Sequence, residues 1–214
     1  MFLLSAMFLK SPLTSVDTEV TYTITMGKIK DPIPVKLICG IISGSPELFD
    51  QAKQQLSQRY GAIDYISPIM SFSQYTDYYE PEMGKDLQRQ FISFEKLVDP
   101  IDIVSTKRTT NQIELDLISA SAGMTPNTEH GRMINLDPGY VSNAKLVLAT
   151  TKDYQHRLYL GQGIYAEVTL RFRQGKFEPF EWTYPDYKTP EYLAIFNQIR
   201  AIYSEQLKWI KKEM

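Results

Sequence analysis

Tyr165-Ala-Glu-Val-Thr-Leu-Arg-Phe-Arg173, followed by Gln174-Gly-Lys176 and then Phe177-Glu-Pro-Phe-Glu181, reads as two strands closed by a hairpin turn. Three more strand candidates precede it: Arg132 to Leu136, Ala144 to Thr150 and Arg157 to Leu160. Strict alternation of strand and helix is absent here, which argues against a doubly wound sheet. The second half of the chain is β-rich, and the helices have to be sought on either side of it.

Toward the N-terminus, Val35 to Ile42 is a continuous apolar run, as expected of a buried strand. Ser45-Pro46-Glu47 then starts a helix, with Ser as cap and Pro at the first helical position. Leu48, Phe49, Ala52, Leu56 and Tyr60 recur at helical spacing, and Gly61 ends the run. Strands are expected near Ile63 to Met70 and Phe91 to Val98, and a helix over Ile101 to Ser119, interrupted around Lys107-Arg108-Thr-Thr110. The stretch Ala120 to His130 has the composition of a mobile loop. Beyond the hairpin, Thr189-Pro190-Glu191 opens a long helix whose Tyr192, Ile195, Phe196, Ile199, Ile202, Tyr203, Leu207 and Ile210 form one apolar face. The pattern predicts a single α+β domain over residues 26–214, an antiparallel or mixed sheet covered by helices on one face.

An internal duplication is also suggested. Tyr75-x-Asp77-Tyr78-x-x-Pro81-Glu82 reappears 109 residues later as Tyr184-x-Asp186-Tyr187-x-x-Pro190-Glu191, and Lys36-Leu37 is related to Lys145-Leu146 by the same shift. Two halves on a common plan would bring the paired Tyr-Asp-Tyr turns face to face.

Composition bounds the function. A chain of 214 residues buries roughly 70% of its unfolded surface, enough for one core. The net charge of −2 gives no basic footprint for nucleic acid. A single cysteine, Cys39, sits in an apolar run and fits a reducing cytoplasm, and one Cys with two His is too few for a closed zinc site. The expectation is therefore no metal centre and a cofactor unknown. Met1 to Leu9 is apolar but too short to span a bilayer and lacks a preceding positive charge. We expect Met26 to be the natural start, with residues 1–25 a mis-started or disordered extension, and no membrane partner.

Three islands of turn, charged and aromatic residues carry whatever chemistry the chain has: Asn135-Leu-Asp-Pro-Gly-Tyr140, Lys152-Asp-Tyr-Gln-His156-Arg157 and Trp182-Thr-Tyr-Pro-Asp-Tyr187. Asp137-Pro-Gly is a turn signal, and its carboxylate on a rigid loop suits a general base or a hydroxyl anchor. His156 is the candidate proton shuttle. Lys152 and Arg157 are anion-binding candidates, although on an extended segment Lys152 and His156 face one way and Arg157 the other. Tyr75, Asp77, Tyr78, Tyr140, Tyr184, Asp186 and Tyr187 complete the ligand-binding set with flat faces, hydroxyls and carboxylates. Glu167 belongs to it as a strand carboxylate that needs Arg157 or Arg171 as partner. Lys107-Arg108, near Asn111 and Glu114, reads as a solvated helix face.

The same islands, with Pro34-Val-Lys-Leu37, Thr76-Asp-Tyr-Tyr79, Ser93-Phe-Glu-Lys-Leu97, Lys145-Leu-Val-Leu-Ala149 and Gly163-Ile-Tyr-Ala-Glu167, resemble the family called domain of unknown function 4416 from Met26 to about Leu207. The resemblance implies a bacterial, intracellular protein and brings no reaction with it. Some relatives carry a GTP-binding label. A P-loop needs Gly-x-x-x-x-Gly-Lys-Ser/Thr, and Gly40-Ile-Ile-Ser-Gly44 has neither the Lys nor the spacing. Thr151-Lys-Asp153 lacks a residue of the guanine-reading element. No nucleophile elbow and no zinc helix is present either. Two readings follow: a site for a small anionic ligand, nucleotide-like or sugar-like and of undetermined reaction, or a non-catalytic module whose Tyr- and Trp-rich turns contact another protein.

Overall fold

The computed structural model describes residues 27–120 and 131–213, so the expectations for residues 1–25 and for the loop over residues 121–130 lie outside the described residues. The early apolar run is β1 (Val35–Ser43), buried at every position, and Pro46 opens α1 (Pro46–Tyr60). Ser45 does not cap that helix with its side chain; its Oγ donates to Glu47 at 2.7 Å. The single strand expected from residues 63 to 70 breaks at Ser67-Pro68 into β2 (Ile63–Ile66) and β3 (Met70–Ser71). A short α2 (Glu80–Met83) leads to β4 (Gln88–Val98), which begins three residues earlier than the apolar pattern indicates.

The helix after it, α3 (Ile103–Ala120), is unbroken. Thr106 and Thr110 donate their hydroxyls back to the carbonyls of Asp102 and Lys107, at 2.8 and 2.9 Å, so these polar residues are absorbed into the helix instead of interrupting it. The second half comprises β5 (Ile134–Val141), β6 (Lys145–Thr150), β7 (Leu158–Gly161), β8 (Ile164–Arg173), β9 (Lys176–Pro179) and the long α4 (Pro190–Glu213). The β8–β9 turn uses Gln174 and Gly175 at φ 51° and 82°, the left-handed pair that a tight hairpin requires.

All of these strands join one antiparallel sheet in the order β2-β4-β1-β5-β6-β8-β7, with β3 beside β4 and β9 beside β8. Alternation along β1 then divides the core. Leu37, Cys39 and Ile41 face α1 and α3, whereas Ile38 packs with Tyr192, Phe196 and Ile199 of α4. Helices therefore cover both faces, not one, because β1 is apolar on both sides and each side has to be buried. Residues 32–214 form one compact unit. Lys36, fully buried in β1, is held by Asp64 and by Gln206 at 2.7 Å.

The 109-residue shift keeps its ends and loses its middle. Both Lys36 and Lys145 begin strands, and both Pro81 and Pro190 start helices, but α1 corresponds to residues 155–169, which hold β7 and much of β8. The shift relates two turns rather than two folded halves.

Candidate cleft between the parted strands β5 and β6

β5 and β6 pair only at Gly139–Leu148, Tyr140–Val147 and Val141–Leu146, although β5 runs back to Ile134 and β6 on to Thr150. Beyond Gly139 the strands diverge, and β6 follows β8 instead. The divergence exposes one edge of β5 in the interior, where unpaired backbone groups are costly. Two side chains of α3 satisfy it: Lys107 Nζ donates to the Leu136 carbonyl and Glu114 accepts from the Leu136 N–H, each at 2.7 Å. By the alternation of an antiparallel ladder, Pro138 faces the same edge and has no N–H to leave unpaired.

Asp137 is therefore not in a turn, as its Pro-Gly neighbours suggest. It lies inside β5, opposite Gly40 of β1. Gly139 is needed for another reason: a Cβ there would collide with the Val147 carbonyl oxygen and reach Leu148 Cδ2 at 2.7 Å. Gly40, from the segment tested for a phosphate loop, is likewise paired strand.

A cleft of about 430 Å³ opens at the divergence. Arg89 of β4 lies at its floor, buried, donating to Asp186 at 2.5 Å and to Asp137 at 2.7 Å. The guanidinium is boxed by the rings of Phe72, Phe91 and Tyr187, 5.0 to 5.2 Å from their centroids. Burial disfavours its charge, but Tyr187, Asp186 and Asp137 outweigh that, and its pKa rises well above the ordinary value.

The two carboxylates on Arg89 differ. Burial pushes the Asp137 carboxyl up, but Arg89 and Lys107 pull harder and hold it below the ordinary range, while 22% of its side chain remains exposed to the cleft. Asp186 is more enclosed, and burial raises its carboxyl despite Arg89. Two carboxyls shifted in opposite directions thus stand on one cation. Glu114 is also raised by burial, against the pull of Lys107 and its bond from Leu136.

The wall continues through Arg132, which donates to Glu82 at 2.9 Å, to Glu114 at 3.2 Å and to Asn135. At the mouth, the segment after β6 is not extended, so Lys152 and Arg157 both reach the cleft. Arg157 donates to Glu167 at 2.8 Å, to the Lys152 carbonyl at 3.0 Å and to Tyr184 Oη at 2.8 Å. Lys152 Nζ donates to Tyr78 Oη.

Of the residues proposed from sequence, Tyr75, Tyr78, Asp137, Lys152, Arg157, Glu167, Tyr184, Asp186 and Tyr187 line this one cleft. Three do not. His156 lies behind the wall, its Nε2 3.1 Å from Glu167 and its ring stacked on Trp182. Asp77 is exposed, and its carbonyl accepts from Glu80 in the turn before α2. Tyr140 packs beside Ile103, Val104, Ala149 and Ile164. Glu167 takes Arg157 and not Arg171, which is paired with Glu178.

Arg89, Arg132 and Asn135 were not legible as site residues, and Lys107 and Glu114 are buried cleft residues instead of a solvated helix face. Two signals point to them: Arg89 shares the period-2 face of Phe91, and Lys107 and Glu114 are seven residues apart on one side of a helix. Among buried side-chain atoms, Arg89 Nε and Tyr187 Oη make no hydrogen bond, while the Asn135 side chain supports the Asp137 carboxylate.

Among the described residues no helix is long and apolar enough to cross a membrane. The family model described as Domain of unknown function (DUF4416) matches residues 33–203, so the chain belongs to that family. No curated protein and no solved structure matches the chain.

Proposed function

We propose that this member of the DUF4416 family binds a small anionic ligand, nucleotide-like or sugar-like, in the cleft between β5 and β6. The observation that carries the reading is the convergence of Arg89, Lys107, Arg132, Lys152 and Arg157 with five tyrosines in one concavity. Five cations meet five carboxylates, Glu82 on Arg132 together with Glu114, Asp137, Glu167 and Asp186, so the balance is even. The pull on an incoming anion is local, at Lys152, which among the described residues has no carboxylate within ion-pair distance. Exposed donors at the mouth, Lys152 Nζ and the Tyr78 and Tyr184 hydroxyls, favour a ligand that brings acceptor oxygens.

Asp137 serves this reading better as an anchor than as a general base. A carboxylate held charged by two cations is a weak proton acceptor at neutral pH. His156 acts through Glu167 to orient Arg157, so we assign it positioning. P-loop GTPase chemistry has no support in these residues. A bacterial, cytoplasmic setting agrees with the lone buried Cys39, whose thiol burial pushes up and out of the reactive range.

A second reading, a non-catalytic interaction module, draws on the edge strand β7, where Leu158 and Tyr159 are exposed. Thermal unfolding of the full chain against nucleotides, sugar phosphates and carboxylates separates the two. A ligand at a hundred times its Kd adds about 2.7 kcal/mol, roughly 5 to 10 °C for a domain of this size, and that selective rise is the expected result. A flat panel removes the ligand reading and leaves the interaction reading, to be tested next by partner capture.

A further inference from the structure

We infer that the cleft takes the phosphate of a phosphate monoester at its mouth and hydroxyls of the same molecule at its floor. This rests on the anionic-ligand reading above and adds a ligand class and an orientation to it.

The mouth is where cationic charge is available. Lys152 is exposed and, among the described residues, has no carboxylate within ion-pair distance; its partner is the neutral phenol of Tyr78. Arg157 turns one terminal nitrogen to another phenol, that of Tyr184. The phenol orients Lys152 without neutralising it, whereas Arg157 is ion-paired through Nε with Glu167 and offers only its terminal nitrogen; a phosphate oxygen is a stronger acceptor than a phenol for both. Tyr78 and Tyr184 are 55% and 49% exposed, so an arriving anion can displace them.

The floor is built for a different group. Asp137 and Asp186 stand there, so a second anion would meet two carboxylates. One oxygen of Asp137 accepts from Arg89, while the other lies 4.0 Å from Lys107, beyond hydrogen-bond distance and open to a donor. Lys107 Nζ gives one hydrogen to the Leu136 carbonyl and retains others. A hydroxyl set between Lys107 and that oxygen can accept from the ammonium and donate to the carboxylate. The cavity volume of about 430 Å³ lies within the range of small-molecule sites.

Two kinds of molecule present this chemistry, sugar phosphates and nucleoside monophosphates. The exposed Tyr78 and Tyr184 rings at the mouth are available to a base but do not require one.

Calorimetric titration of the full chain with methyl phosphate, ribose, ribose 5-phosphate, adenosine and AMP tests the inference. Ribose 5-phosphate should bind at least about tenfold more tightly than methyl phosphate or ribose, since hydrogen bonds to charged groups at each end contribute that much. Lys152→Met, at an exposed position, should weaken ribose 5-phosphate about tenfold and leave ribose unchanged. Asp137→Asn should abolish the preference for ribose 5-phosphate over methyl phosphate. AMP binding more tightly than ribose 5-phosphate assigns the nucleotide, and weaker binding assigns the sugar phosphate. Equal affinity for methyl phosphate and ribose 5-phosphate, or a Lys152→Met protein that binds ribose 5-phosphate as before, overturns the orientation. If carboxylates raise the unfolding temperature while no phosphate ester binds, this inference falls and the anionic-ligand reading stands; if no anion acts at all, both fall.

Discussion

Arg89 connects two carboxylates that respond to acid in opposite directions. Asp137, held below its ordinary value of 3.8, contributes stability that is present above that pH and lost as the pH falls through its folded value. Asp186 is raised above 3.8, so its ionisation costs stability near neutral pH, and the cost is relieved as the pH falls through its folded value. In urea denaturation across the acid range, Asp137→Asn should cost about 1–3 kcal/mol near pH 7 and blunt the loss of stability below pH 3.8. Asp186→Asn should cost less at neutral pH; a larger cost than that of Asp137→Asn would contradict the assignment. Sequence showed Asp137 as a candidate but misjudged its setting, because Asp-Pro-Gly has the composition of a turn. What no local pattern encodes is that Pro138 faces an edge with no strand to receive an N–H, and that Gly139 admits the Val147 carbonyl.

The strands and helices themselves were largely legible. An apolar run followed by Ser-Pro-Glu gave β1 and α1, and the Gln-Gly turn gave β8 and β9, because period and punctuation are local properties. The parting of β5 from β6 was not legible, since it depends on α3 placing Lys107 and Glu114 against Leu136 from a distant part of the chain. Gly139 is the last pairing point before the strands diverge, so the cleft depends on it. Gly139→Ala should force β6 away and destabilise the protein by about 1–3 kcal/mol in urea denaturation, with a smaller ligand-induced rise in unfolding temperature. Wild-type stability in that variant would mean that β5 and β6 are free to separate, and that the cleft is not set by their contact.

At the scale of the whole molecule, one antiparallel sheet carries helices on both faces and still leaves a charged opening between two of its central strands. The second helical layer follows from β1, whose residues are buried on both sides, a property already visible in its uninterrupted apolar run. The two Tyr-Asp-Tyr turns do meet at the cleft, one from before α2 and the other from before α4, although the elements between them differ. Turns brought together from positions 109 residues apart leave no contiguous motif, and that is why residue types suggest a site while its members at Arg89 and Arg132 go unseen. The central claim is that this opening receives an anion. The most direct test is a two-dimensional amide spectrum of the full chain titrated with ribose 5-phosphate. The account predicts shifts confined to the cleft lining, residues 75–79, 89, 107–114, 132–139, 148–157 and 184–187; shifts scattered elsewhere, or none at saturating ligand, would contradict it.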